Sequence, residues 1–83
     1  MRVTVLYFAA ARERAGLSRE TLELPEGATA AQAKAKALEA HPLLLPLGPQ
    51  LRVAVDRAFA EGPELLREGA EVALIPPVSG GRA

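Results

Sequence analysis

The residues best suited to chemistry lie near the C-terminal end, where residues 79–81 read Ser-Gly-Gly and are followed by Arg82-Ala83. A glycine pair has no side chains, so its backbone can thread a narrow channel and adopt φ/ψ values that other residues disfavour. Just upstream, Pro76-Pro77 restricts φ and favours an extended chain, and an apolar strand pattern ending at Ile75 supplies an anchor. This arrangement is typical of a tail that enters the active site of another protein.

The rest of the chain offers no catalytic constellation. It contains no cysteine, which excludes disulfides, thiolate metal sites and a cysteine nucleophile. We interpret His41, at the end of a predicted helix, as a helix-terminal residue and not as a ligand or base. The spacing of Glu64, Glu68 and Glu71 is irregular and favours solvated carboxylates over a metal site. We therefore expect no bound metal and no resident cofactor.

Size and charge limit the function further. The 83 residues suffice for one small domain, in which a deep substrate pocket is not expected. Ten basic and ten acidic side chains cancel, so the chain has no field that attracts nucleic acid. Arg12, Arg14 and Arg19 alternate with Glu13 and Glu20, which indicates a solvated surface. Neither a signal peptide nor a membrane-spanning segment is evident, so we expect a cytoplasmic protein with no membrane partner.

Period-two patterns predict strands over residues 2–8, 19–24, 51–55 and 71–75, with a short strand over 58–60. The first of these is apolar enough to predict a strand covered on both faces. Thr29 is a candidate N-cap for a helix over 30–40, and a shorter helix over 9–16 is expected to end at Gly16.

The remaining segments are predicted to be irregular or short. Residues 42–50 are expected to form a crossing loop whose leucines seal the edge of the sheet. Residues 63–66 are expected to form one helical turn.

This order of elements predicts an α+β fold in which one main helix packs across a mixed sheet. The most compact arrangement pairs the first and last strands in parallel, which is the β-grasp or ubiquitin-like architecture. Residues 1–78 form the predicted domain, and residues 79–83 form a flexible tail.

Several segments together resemble a known family. They are Phe8-Ala9, Arg12-Glu13 with Gly16, the Val-Ala-Val-Asp sequence at 53–56, and the stretch from Gly69 to Gly81. The chain is similar to the ThiS/MoaD family of ubiquitin-like sulfur carriers, and in particular to the MoaD type, the small subunit of molybdopterin synthase. The resemblance spans nearly the whole chain and is most specific from Gly69 onward. Asp56 stands where that pattern usually has Asn.

The resemblance implies a cosubstrate and not an enzyme with its own catalytic site. A ubiquitin-activating-like adenylyltransferase of the MoeB type would use ATP to convert the Gly81 carboxylate into an acyl-adenylate. Sulfur from a persulfide would displace AMP and leave a thiocarboxylate, while Gly80 and Ser79 would thread the channel. A MoaE-type large subunit would then transfer the sulfur to precursor Z, in the synthesis of the molybdenum cofactor.

The resemblance also implies a docking surface beside the tail, made by Phe8, Phe59 and Ile75. It continues into the tail through Pro76, Pro77 and Val78. The alternative is that Phe8, Phe59 and Ile75 are ordinary core residues. We expect the free chain to be a monomer.

One departure from the family pattern bears on the chemistry. Arg82-Ala83 follow Gly81, so the Gly81 carbonyl lies in a peptide bond and the chain cannot be adenylated there as written. One account is a precursor that a protease trims after Gly81, and the other is a coding difference at the end of the chain; we favour trimming. Two other classes of function stay open: a ubiquitin-like protein modifier, and a non-covalent β-grasp interaction module. A sulfur carrier for tRNA thiolation or thiamin is a further alternative.

Overall fold

The computed structural model describes residues 1–77. Along the chain the elements are β1 Arg2–Tyr7, α1 Ala9–Ala15, β2 Arg19–Glu23, α2 Ala30–Ala40, a 3₁₀ helix Pro42–Gln50, β3 Arg52–Val55, β4 Ala58–Ala60 and β5 Glu71–Ile75. The predicted strands and the two predicted helices are confirmed, each within one residue at either end.

The strands form one sheet in the order β2-β1-β5-β3-β4. β1 and β5 are parallel, with Val5 opposite Val72 and Tyr7 opposite Leu74. The β1–β2, β3–β5 and β3–β4 pairs are antiparallel. The predicted parallel pairing of the first and last strands is therefore confirmed, and it defines the β-grasp topology.

Local sequence signals fix the ends of the two helices. α2 begins with a capping box, in which the Thr29 hydroxyl accepts from the Gln32 backbone N–H and the Gln32 side chain accepts from the Thr29 N–H. α1 ends at Gly16, which has a φ of 82° and donates its N–H to the Arg12 carbonyl. Glycine adopts this left-handed conformation at little cost, so it stops the helix cleanly. No helix within residues 1–77 has the length and apolar character needed to cross a membrane.

The core lies on one side of the sheet only. Alternate residues of β1 and β5 point to it, and Ala30, Ala33 and Ala37 of α2 cover them with no exposed surface. Small alanine side chains allow the helix axis to lie close to the strands. The prediction that β1 is covered on both faces is wrong, because α1 and α2 both pack on the same face and leave the other open.

Two predictions about the connections are also wrong. Residues 42–50 form a 3₁₀ helix that packs against α1 and α2, and Leu44 is buried there while Leu43 and Leu45 are exposed. These leucines therefore do not seal a sheet edge. Residues 63–66 are not helical, and Leu65 forms an isolated antiparallel bridge with Thr29.

A polar cluster connects the sheet to the end of α2. The Glu20 carboxylate accepts a hydrogen bond from the Tyr7 hydroxyl and contacts His41 Nε2, both at 2.5 Å. The rings of Tyr7 and His41 meet edge to face, with centroids 5.5 Å apart. His41 is the C-cap of α2, as its predicted helix-terminal role requires, but its ring also ties that helix end to β2 through Glu20.

Burial of Tyr7 generates a prediction at high pH. Burial, together with the hydrogen bond to Glu20 and its negative charge, raises the pKa of Tyr7 well above its usual value. Above about pH 10 the unfolded chain loses the phenol proton while the folded chain keeps it. The free energy of unfolding should therefore fall by about 1.4 kcal/mol for each pH unit above 10 through this group alone.

The test compares the wild type with Tyr7→Phe, which removes the one tyrosine of the chain. In urea unfolding between pH 9 and pH 12, the free energy of unfolding of the wild type should fall more steeply with pH than that of Tyr7→Phe. Tyrosinate absorbance should appear together with unfolding. Ionisation of Tyr7 in the folded protein near pH 10 would contradict the prediction.

Candidate functional site

The open face of the sheet carries an apolar groove of about 350 Å³. Strand geometry places it there, because residues that alternate with core residues point away from the helices. Its apolar lining consists of Leu6, Phe8, Ala54, Phe59, Ala73 and Ile75. The groove therefore spans β1, β5, β3 and β4.

Two aromatic side chains are the most prominent part of this surface. Phe8 is 44% exposed and Phe59 is 58% exposed, while Ile75 is half-buried between them and the tail. Phe8 directly follows β1, and the chain turns away after it because Ala9 takes a φ of 49°. Phe59 stands opposite Ala54, whose small side chain leaves room beside the ring. Phe8 and Phe59 are therefore not core residues.

The guanidinium of Arg52 covers one side of Phe59, with its central carbon 3.8 Å from the ring centroid. A cation over an aromatic face is attracted to it, so Arg52 holds the ring in one orientation while leaving more than half of it exposed. Sequence reasoning missed Arg52. Its position two residues before Ala54 could have indicated it, because side chains two residues apart in a strand lie on the same face of the sheet.

The far end of the groove is formed by the turn between β3 and β4. Asp56 and Arg57 are its two central residues, and both have positive φ, 48° and 73°. Asp56 fastens the turn to β5: its N–H donates to the Glu71 carbonyl, and its carboxylate accepts from the Glu71 N–H at 2.9 Å. Arg57 and Glu71 line this end of the groove. Arg57 was also missed by sequence reasoning.

The base of the tail adjoins the other end of the groove. β5 ends at Ile75, a lining residue, and continues into Pro76, which is half-buried, and Pro77, which is exposed. Any segment that docks on the groove therefore lies beside the start of the tail. The predicted tail residues Val78, Ser79, Gly80 and Gly81 lie outside the described residues.

The acidic residues considered as a metal site do not form a cluster, and two of them bind backbone N–H groups. Glu64 accepts hydrogen bonds from the backbone N–H groups of Glu61 and Gly62, which lower the pKa of its carboxyl group. Glu68 accepts from the Arg2 N–H at 2.9 Å. Within the described part of the chain, no group of three or more His, Cys, Asp or Glu side chains could hold a metal ion.

A five-stranded mixed sheet with its first and last strands parallel and a helix across one face defines the ubiquitin-like class of proteins. Residues 5–81 match the model of the ThiS family, so the chain belongs to that family. The match extends through Gly81.

Two curated relatives are similar in sequence to this chain over nearly its full length. The chain is 40% identical over 83 residues to a molybdopterin synthase sulfur carrier subunit of Chlamydomonas reinhardtii, covering 98% of this chain and 100% of the relative. It is 39% identical over 82 residues to the protein of the same name from Homo sapiens, covering 95% of this chain and 93% of the relative.

Solved structures share the fold. A putative molybdopterin converting factor, subunit 1, from Pyrococcus furiosus superposes with a TM-score of 0.85 at 29% identity, over 94% of this chain and 99% of that one. SAMP1 from Haloferax volcanii superposes with a TM-score of 0.89 at 29% identity, over 98% of this chain and 100% of that one. A chain of the Helicobacter pylori molybdopterin-converting factor, solved as a complex of subunits 1 and 2, superposes with a TM-score of 0.72 at 18% identity, over 98% of this chain and 100% of that one.

The exposure of Phe59 predicts a small effect on stability. Phe59→Ala should lower the free energy of unfolding by about 1 kcal/mol or less, because the ring is mostly solvated and loses mainly its contact with Arg52. Leu74→Ala, at a fully buried position of β5, should cost about 2–5 kcal/mol. Urea unfolding measures both. Equal losses would show that Phe59 belongs to the core.

Proposed function

We propose that this chain is the sulfur carrier subunit of a molybdopterin synthase. The observation that carries the proposal is the similarity to curated subunits of that name, at 40% and 39% identity over 98% and 95% of this chain. The geometry supports it as well: the described residues provide an apolar groove beside the base of the tail, and among them no group of His, Cys, Asp or Glu side chains could hold a metal ion.

The chemistry proposed for the tail takes place at the backbone of Gly81. Its carboxylate attacks the α-phosphate of ATP on an adenylyltransferase, which gives an acyl-adenylate and releases pyrophosphate. The terminal sulfur of a persulfide donor then displaces AMP to form an acyl disulfide, and a second thiol cleaves its S–S bond, which releases the thiocarboxylate and leaves a disulfide on the donor. The partners supply the groups that stabilise these steps. Gly80 and Ser79 allow the tail to pass through a narrow channel, since Gly80 adds no side chain and Ser79 adds only a small one. ATP is consumed by the activating partner and is not held by this chain.

The proposed docking site for the large subunit is the groove, with Phe8, Phe59 and Ile75 as its apolar contacts and Pro76, Pro77 and Val78 continuing from it into the tail. Exposed aromatic residues at the centre of an apolar patch are frequent binding hot spots. The H. pylori relative of this fold was solved with its second subunit, which supports assembly with a subunit of that kind.

Arg82 and Ala83 must be removed before Gly81 can be activated, so the proposal includes a trimming protease. The family match through Gly81 supports Gly81 as the functional terminus. The intact mass of the protein isolated from its own cells should correspond to a chain ending at Gly81, with one oxygen replaced by sulfur. An untrimmed chain as the sole form would contradict activation at Gly81.

Activation can be reconstituted with purified components. A chain that ends at Gly81, incubated with the adenylyltransferase, ATP and a persulfide donor, should acquire the thiocarboxylate, because its terminal carboxylate is free. The same chain extended by Arg82-Ala83 should remain unmodified. Gly81→Ala in the trimmed form is the matched variant, and its added methyl group should slow loading. Equal modification of the trimmed and extended chains would refute the role of trimming.

A second candidate is a protein modifier, which the similarity to the structures of SAMP1 and of small archaeal modifier protein 1 from Haloferax volcanii favours. The same activated Gly81 would then be captured by a lysine amine on a target protein. Denaturing gels of cell extracts, probed for this chain, would show a ladder of larger adducts that is lost when Gly80 and Gly81 are deleted. A carrier alone gives no such ladder.

A further inference from the structure

The turn between β3 and β4 contains an arginine at a position that normally favours glycine. Val55 pairs with Ala58, so Asp56 and Arg57 are the two central residues of a two-residue hairpin. Both have positive φ, as type I′ turns require. Glycine is preferred at the second position because a side chain there crowds the backbone. Arg57, at a φ of 73°, is therefore held in a strained conformation.

The contacts of the turn account for an aspartate at position 56 but not for an arginine at position 57. The Asp56 carboxylate accepts from the Glu71 N–H, which is a structural reason for an acidic or amide side chain there. Arg57 forms no ion pair and no side-chain hydrogen bond with any other residue between positions 1 and 77. Its side chain instead lines the apolar groove. Strain of this kind without an internal contact points to a role in binding.

The charged side chains near the groove lie at its two ends. Arg57 and Glu71 lie together at its far end. Arg52 lies near the other end, opposite Ile75 in the sheet and over the ring of Phe59. The carboxylates of Glu71 and Asp56 equal the two arginines in number, but the Asp56 carboxylate already accepts from the Glu71 N–H, whereas the Arg57 guanidinium has no partner within residues 1–77. A complementary docking segment is apolar at its centre and acidic at its margin.

We propose that Arg57 is a specificity-determining contact, whose guanidinium pairs with a carboxylate of the large subunit when that subunit occupies the groove. The inference rests on the proposed function and adds the chemistry of its partner: an acidic side chain beside the apolar contacts. The strained turn presents the cation to the partner, and the neighbouring apolar surface excludes water from the pair, which strengthens it.

The decisive variant is Arg57→Gly, because stability and binding should change in opposite directions. Glycine relieves the positive φ, so the urea midpoint should stay the same or rise. The affinity for the large subunit of molybdopterin synthase from the same organism, measured by calorimetry with the full chain, should fall about tenfold. Arg57→Lys keeps the charge but not the bidentate geometry, so it should recover part of the affinity.

The matched control is Lys36→Ala. It also removes one positive charge, but from an exposed position on α2, which covers the opposite face of the sheet. It should leave the affinity within about twofold, because it removes only long-range attraction that salt screens. Raising the salt concentration should narrow the difference between wild type and Arg57→Gly.

Outcomes that overturn the inference are distinguishable from failure of the proposed function. Unchanged affinity in Arg57→Gly, a loss equal to that of Lys36→Ala, or a lower urea midpoint would overturn the role of Arg57. The docking proposal would survive those results if Phe59→Asp abolished binding. If the wild-type chain does not bind the large subunit, or if Phe59→Asp binds as well as the wild type, docking through the groove fails and the role of Arg57 fails with it.

Discussion

The parallel pairing of β1 with β5 is the constraint on which the rest of the structure depends. Parallel neighbours cannot be joined by a tight turn, so the chain between them must make a long excursion. That excursion contains the two helices and the 3₁₀ helix, which supply the covering layer for one face of the sheet. The same pairing sets Tyr7 opposite Leu74, so both strands finish at one edge. Phe8 and Ile75 are brought together only for this reason.

The core consequently lies on one face of the sheet and the groove on the other. Inward-pointing residues such as Val5, Val72 and Leu74 are fully buried against the alanine face of α2. Outward-pointing residues of the same strands line the groove and contribute little to the core. Successive side chains of a strand point to opposite faces, so a residue in the core is followed by one that lines the groove. Substitution can therefore alter the proposed docking surface without disturbing the packing behind it.

Sequence reasoning succeeded where the signal was local. Alternation in the strands, the Thr29 cap and the Gly16 terminus each depend on a few adjacent residues, and the structure confirms them. It failed where the outcome depended on distant parts of the chain. The apolar composition of β1 could not reveal that both helices pack on one side. The two residues between the predicted strands 51–55 and 58–60 did indicate a tight turn, but not that the Arg57 side chain lines the groove. The prolines at 46 and 49 suggested an irregular loop, although 3₁₀ geometry accommodates them.

The position of β5 also has a consequence for biosynthesis. It is the last strand to leave the ribosome, and yet it is the central strand of the sheet, with β1 on one side and β3 on the other. A nascent chain that lacks it has two separate strand pairs and an unfilled gap between them. The fold cannot close until translation has passed Ile75, only a few residues before the glycine pair. A chain that is cut short before β5 therefore lacks both the centre of the sheet and the glycine pair, so folding and the presence of the tail depend on the same stretch of translation.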